Sequence, residues 1–328
     1  YDITNGVVED KPHLLLEPSR TNLFNYSEPT TNEGAATGVT YESFSWSLGF
    51  SNCIKYGDNS VVRFRYSAFV SASTEYTLSA FVVMDDLSEP LVGVNTVTGD
   101  FTFVCGGATG GVANENIYYG NNIYRVSTTL TSGANAGNNG IIKYTGQSSK
   151  GFRVVGLQVE AGSYSTSYIP TAGTTITRAA ETCNNSKPSV NSTEGVLYCE
   201  VSALANDATN KQISISNGSV SQRVYFGFRV NNPNEFILSS KDSSYVISTV
   251  NDVTDYNKYA FQYKSGNFKA FVNGVSYSLN ADGGSLPTSL DRLNFDDGAG
   301  NSDFYGKVKG LAVYNEALTD AQLIELTS

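Results

Sequence analysis

The run Asp296-Asp297-Gly298-Ala299-Gly300-Asn301-Ser302-Asp303 holds residues whose type and spacing suit metal chemistry. Carboxylates and amide carbonyls are hard oxygen ligands, and glycines let the backbone fold round an ion. Asp296, Asp297 and Asp303 are therefore candidate Ca2+ ligands. The ligand spacing and closing Glu of an EF-hand loop are absent. The competing reading is an acidic, solvated turn.

Aromatic side chains are the second resource. The chain has 21 Tyr, 17 Phe and a single Trp. Sugars present flat C–H faces that stack on rings, while Tyr hydroxyls, Asn and Asp bond their hydroxyls. Tyr118 and Tyr119 lie in the loop-like stretch Asn116–Asn122 and are candidate glycan contacts; packing at a rim or subunit contact competes with that reading. Trp46, in Glu42-Ser43-Phe44-Ser45-Trp46-Ser47, is a third candidate platform.

Other chemistries lack their parts. A Ser-His-Asp or Cys-His site needs a histidine as base. The only histidine is His13, beside Pro12 in a polar stretch, and no G-x-S-x-G nucleophile elbow is present. Glu194 and Glu200 flank a strand, but nothing around them demands a raised pKa. Gly106–Gly111 lacks the GKS/T ending and following helix of a phosphate loop. The cysteines Cys53, Cys105, Cys183 and Cys199 form no CxxC pair, which argues against zinc. Cys199 sits in a strand-like run and reads as a small buried hydrophobe. A Cys183–Cys199 bridge is the alternative. The net charge of −10 argues against binding along a nucleic-acid backbone, which needs clustered Lys and Arg. No run of about 18 apolar residues suggests a membrane span. The first residue is Tyr1 rather than Met, so the chain is read as a fragment or as what remains after an upstream part was removed. Tyr1-Asp2-Ile3-Thr4 lacks the basic start and apolar stretch of a secretion signal.

The elements that must position these groups are strands. Abundant Gly, Ser, Thr, Asn and Tyr suit short strands joined by many turns. Glu75–Val83 and Asn122–Leu130 are rich in β-branched and aromatic residues. Gly106–Gly111 and Ser132–Gly140 read as loops. Val224, Phe226, Phe228 and Val230 alternate with Arg223, Tyr225, Gly227 and Arg229, which places one face in a core. Tyr259, Phe261 and Tyr263 alternate likewise. Asn273-Gly274 inside Phe268–Leu279 predicts a two-residue hairpin with positive φ at both positions. Lys307–Tyr314 is a further strand. Thr319–Leu326 predicts a short helix, capped by Thr319 with Gln322 completing a capping box. Length allows two domains. Residues 1–12 read as a connector, 13–181 as the first module, 182–193 as a linker containing Pro188, and 194–328 as the second module.

Two segments carry a family resemblance. Leu14-Leu15-Leu16-Glu17-Pro18-Ser19-Arg20-Thr21-Asn22-Leu23 is the first. Gly156–Gly162 through Tyr168-Ile169-Pro170-Thr171 to Thr177-Arg178-Ala179-Ala180-Glu181 is the second. They resemble the opening and closing signatures of a carbohydrate-binding-like β-sandwich from surface proteins of tailed bacteriophages, and Tyr124-Arg125-Val126-Ser127 matches one of its strand motifs. The order Phe-x-x-Phe-Val-Asn-Gly, then Gly-Lys-Val-Lys-Gly-Leu-Ala-Val-Tyr-Asn-Glu-Ala-Leu-Thr, resembles concanavalin A- or laminin-G-like domains over about 194–328. The implied fold is all-β: two tandem antiparallel sandwiches, jelly-roll-like then concanavalin/laminin-G-like, with one short C-terminal helix. The implied role is a non-enzymatic virion surface protein, a tail or head fibre. Its expected partners are a bacterial surface glycan, other virion proteins and copies of itself, as a trimer. A purely structural fibre component and a polysaccharide depolymerase are the alternatives, and a secreted adhesin is a fourth. Laminin-G-like domains often hold calcium at one rim, in keeping with the Asp296 loop. The Glu-x-Asp-x-x-Glu motif of concanavalin-like hydrolases is absent. In the first family a tryptophan near Trp46 packs inward, which favours core there. Arg20 and Arg178 recur in the signatures, and a structural role, such as pairing with Glu17 or Glu160, is preferred for both.

Overall fold

A computed structural model describes residues 3–4, 7–8, 10–31, 33, 35–58, 62–66, 70–114, 116–135, 138–229, 232–241, 243–248, 252–277, 279 and 285–328. Of the residues read above, Tyr1, Asp2, Asn5, Gly6, Glu9, Ala136, Gly137, Val230 and Ser278 lie outside the described residues. Among the described residues the regular structure is strand throughout, apart from one helix, Asp320–Thr327. The chain divides into two units. One comprises Tyr1–Asp10 with Ser19–Ala179, the other Lys11–Pro18 with Ala180–Ser328.

The first unit faces a seven-stranded antiparallel sheet with a four-stranded one. The larger sheet runs Val112–Ala113, Tyr124–Thr131, Glu75–Met84, Phe152–Ala161, Asn52–Tyr56 and Val39–Ser43, with Ile117–Tyr118 also paired to Tyr124–Thr131. The smaller sheet runs Thr102–Val104, Asn139–Lys143, Val62–Tyr66 and Ala35–Thr37. Ile3–Thr4 and Val7–Val8 form a separate antiparallel pair within the stretch read as a connector. Tyr76, Leu78, Ala80, Val82 and Met84 point into the core between the sheets. The opposite face of that strand is buried too. Phe81 and Val83 lie in a second apolar cluster with Trp46, Cys53, Ile123 and Val155. Between Val155 and Gln158 the register slips by a bulge. Gly156 sits there at φ 66, and a Cβ on it would meet the Phe81 ring at 2.6 Å, so only glycine fits.

The second unit is also a two-sheet sandwich. Six strands run Val275–Tyr277, Lys269–Val272, Asn257–Lys264, Glu194–Ala203, Gly306–Tyr314 and Leu14–Leu16. Five strands run Ser243–Ser248, Asn232–Ser240, Arg223–Arg229, Lys211–Ser216 and Arg292–Asn294. Val224, Phe226 and Phe228 meet Tyr259, Phe261 and Tyr263 in the core between them, as alternation predicts. Val272 pairs with Val275 across a two-residue turn, with Asn273 at φ 47 and Gly274 at φ 78. The helix begins at the predicted cap: Thr319 and Gln322 form a reciprocal capping box. Its Leu323 is fully buried against Val196, Tyr198, Ala260 and Phe271, on the outer face of the six-stranded sheet.

The module boundaries differ from those read in the sequence. Leu14–Leu16 is the edge strand of the second unit, paired with Gly306–Val308, and Leu16 enters that unit's core. A Leu-Leu-Leu run has no alternation, so nothing local says which sheet it completes. The stretch 182–193 also belongs to the second unit: Ser186 bridges to Leu293, and Cys183 and Val190 pack against the core. All four cysteines are free, including Cys183 and Cys199, and Cys199 is fully buried as a small hydrophobe.

Candidate functional site

Parts of the two signature segments, distant in sequence, meet in the first unit. Arg20–Asn22 pairs antiparallel with Ile176–Arg178, in the register Arg20 to Arg178, Thr21 to Thr177 and Asn22 to Ile176. Asn22 is fully buried. Its Nδ2 donates to the carbonyls of Leu157 at 3.1 Å and Ile169 at 2.9 Å. Its Oδ1 accepts from the backbone N–H of Phe24 at 3.0 Å and of Val159 at 3.1 Å. One side chain thus satisfies four buried backbone groups on three segments. Arg20 lies over the Tyr164 ring at 5.0 Å, so its structural contact is with a ring rather than the acid expected. Glu160, also fully buried, accepts from Gln158 Nε2 at 2.6 Å and from Thr166 N at 3.0 Å, and bonds the Thr166 hydroxyl. It holds the returning 163–169 segment to the sheet.

That scaffold fixes the chain beyond it. Gly173 N donates to the Asn25 carbonyl at 2.7 Å, and Tyr26 bridges to Ala172. Thr171 Oγ1 donates to the Phe24 carbonyl at 2.6 Å. The Tyr168 and Ser27 hydroxyls are 2.6 Å apart, and Tyr168 also donates to Glu28 Oε1 at 2.9 Å. Burial, the largest cause, pushes the Tyr168 hydroxyl pKa well up, so it stays a donor.

Beside these residues opens a cleft of about 570 Å3. Tyr26 and Pro170 give it flat faces, and Ala172 and Ile176 give it apolar surface. Thr30, Thr171 and Thr174 line it with them, as do the carboxylates of Glu28 and Glu33. Glu33 is held by its own turn: Oε2 accepts from Thr31 N at 2.8 Å, and Oε1 accepts from the Thr30 hydroxyl at 3.1 Å. Burial raises its carboxyl pKa. The backbone donors of Thr31, Glu33 and Thr30, with the Thr30 hydroxyl, outweigh that and hold it below the ordinary range. An aromatic face, hydroxyls and fixed acceptors in a shallow concavity are the parts that grip a sugar ring.

The sequence candidates lie elsewhere. Trp46 is 4% exposed and packs edge-on against Phe44 and Phe50, with ring centroids 5.1 and 6.2 Å away. It is core and offers no ring face to a sugar. The reason is that the outer face of strand Glu75–Met84 is itself covered, so a ring there closes a second core. Tyr118 is in a short strand rather than a loop; it is half-buried, with its ring 4.9 Å from that of Tyr124. Tyr119 meets the Phe81 ring edge-on at 5.4 Å. Neither lines the cleft. Tyr26, Glu28 and Glu33 carry no motif because their stretch is polar, and its long-range partners Leu157, Tyr168, Thr171 and Ala172 lie far along the chain.

In the second unit the acidic run is a tight loop. Asp296 is buried and Oδ1 accepts from Gly298 N at 2.6 Å. Asp297 Oδ1 accepts from Ala299 N at 2.8 Å and Asn301 N at 3.0 Å. Asp303 Oδ2 accepts from the Tyr305 hydroxyl at 3.0 Å. Burial raises the Asp296 carboxyl pKa, and the nearby Asp297 and Asp303 charges add to it. The donor chemistry suits calcium, and the buried Ser214 hydroxyl beside Gly298 has no hydrogen-bond partner among the described residues. Among the described residues, however, no three acids, cysteines or histidines are gathered as a ligand set.

Residues 200–324 match the family model of the Concanavalin A-like lectin/glucanases superfamily, which spans less than half of the chain. No curated protein matches the chain. Among solved structures, the CBM40 of a Ruminococcus gnavus IT-sialidase bound to alpha2,3 sialyllactose is 17% identical. That match has a TM-score of 0.35 and covers 42% of this chain and 84% of that one. Domains LG4-5 of the mouse laminin alpha1 chain are 8% identical, with a TM-score of 0.29, over 88% of this chain and 92% of theirs. Likenesses this distant pass no function to this chain. What stands is the class: an all-β protein of antiparallel sandwiches, with a concanavalin A/laminin-G-like domain in its second half.

Proposed function

We propose that this chain is a non-enzymatic glycan-binding protein that grips sugar in the cleft at Tyr26. The observation that carries this is the lining itself: one aromatic face, a set of threonines and two carboxylates, fixed by the buried Asn22 and Glu160 networks. The resemblance of the signature segments supports the finer reading. The chain is then a tail or head fibre component on a tailed-phage particle, attaching it to a bacterial surface glycan. A homotrimer and contacts with other virion proteins belong to the same reading.

The non-enzyme part rests on the sequence, which has no histidine-based triad and no Glu-x-Asp-x-x-Glu motif. Reducing ends or unsaturated sugars released from host capsule would overturn this part.

The test of binding is a glycan array probed with the chain and with Tyr26→Ala. Binding to at least one bacterial polysaccharide, weakened in the variant, is expected. No binding by the native chain leaves a purely structural fibre role.

Calcium at Asp296, Asp297 and Asp303 is a separate part of the proposal. A divalent cation would relieve the repulsion that these acids place on Asp296. At tenfold excess over Kd, calcium is expected to stabilise by about 1.4 kcal/mol and raise the melting temperature by about 3–5 °C. An unchanged melting temperature in calcium and in chelator removes this part.

A further inference from the structure

We infer that the Tyr26 cleft selects glycans that carry free amino groups over acidic or N-acetylated ones. This rests on the glycan-binding reading and deepens it by naming the ligand chemistry. Among the described residues the lining holds two carboxylates, Glu28 and Glu33, and no lysine, arginine or histidine. Glu28 is exposed and offers Oε1 to Tyr168, leaving its carboxylate turned to the cleft wall with a second oxygen to give. Glu33 is locked by Thr30 and Thr31, so it presents a fixed charge rather than a mobile one. Its donors also keep that charge in place below the pH at which a free Glu would be protonated.

An ammonium group on a sugar ring would make charge-assisted hydrogen bonds to these oxygens, roughly twice as strong as neutral ones. The ring stacks on Tyr26 and Pro170 whichever substituent it bears, so the charge alone decides between sugars. A uronate or sialate carboxylate in the same place would meet two like charges. The net charge of −10 biases approach in the same direction.

Calorimetric titration of the chain with a glucosamine tetramer, its fully N-acetylated counterpart and an oligogalacturonate tests this. Acetylation removes the charge and keeps the ring. The amine-bearing tetramer is expected to bind at least about tenfold tighter than the other two, with affinity falling as salt rises. Glu28→Gln is expected to weaken it about fivefold, and by more than it weakens the acetylated tetramer. Glu28 is exposed, so its variant folds; Glu33→Gln is a second variant, read only if its melting temperature is native. Equal or tighter binding of the acetylated or acidic oligomer overturns the selectivity, as does Glu28→Gln without effect. Both leave glycan binding standing if Tyr26→Ala still weakens it. Absence of binding to all three sugars, together with a blank array, overturns both readings.

Discussion

Asn22→Ala is expected to destabilise the first unit by at least about 3 kcal/mol, the largest effect of any single polar substitution proposed for it. The side chain makes four hydrogen bonds in a site with no solvent exposure. Removing it leaves two backbone donors and two backbone carbonyls without their partner. Each such group costs about 1–3 kcal/mol when buried, and the terms are not additive because water or small shifts recover part. Asn22→Asp should be as severe: it keeps the two acceptor bonds but loses both donors and buries a charge. Thr21→Ala is the control. Its hydroxyl pairs with Thr177 at 2.7 Å on an exposed edge, so the loss should stay within about 0.5 kcal/mol. Urea unfolding of the three variants gives the comparison. Equal midpoints for Asn22→Ala and Thr21→Ala would show that this asparagine does not hold the two signature segments together.

Tyr26→Ala should weaken sugar binding by about five- to thirtyfold in Kd. The backbone of Tyr26 bridges to Ala172, and that pairing does not need the ring. The ring itself is half-buried on the cleft wall, so its loss removes a contact face. A ring that covers one sugar face is worth about 1–2 kcal/mol, which is five- to thirtyfold in affinity. Tyr26→Phe separates stacking from hydrogen bonding: it keeps most of the affinity if the face carries the energy. Tyr118→Ala is the informative contrast. That side chain packs at a tilt against Tyr124 and does not line the cleft, so its removal is expected to leave binding intact. The opposite pattern, with Tyr118→Ala inactive and Tyr26→Ala active, would move the site to the tyrosines that the sequence singles out.

Both predictions turn on contacts between residues distant in sequence, Asn22 with 157–169 and Tyr26 with Ala172, and this is where the sequence stops being informative. Local rules are legible. The Val224–Phe226–Phe228 and Tyr259–Phe261–Tyr263 alternations pick out the core-facing residues, because side chains alternate every two residues along a strand; the opposite face, with Tyr225, Ala260 and Gln262, is buried as well rather than turned to solvent. The Asn273-Gly274 turn and the Thr319–Gln322 cap are read correctly, because each needs only residues within reach of its own backbone. Strand Glu75–Met84 is legible as a strand but not as one buried on both faces, and so Trp46 remained open between platform and core. Its covering cluster draws Trp46 and Phe50 from one loop and Tyr168 from another. Leu14–Leu16 and the cleft were out of reach for the same reason. An apolar tripeptide can complete any sheet with a free edge, and an irregular polar stretch such as Tyr26–Glu33 becomes a wall only when 168–176 is laid beside it. Amino-acid order alone determined the strands, turns and cap of this protein, since those follow from neighbours along the backbone. Which strand closes which sheet, and which polar groups converge on a cavity, was decided by long-range pairing, whose partners no local pattern records.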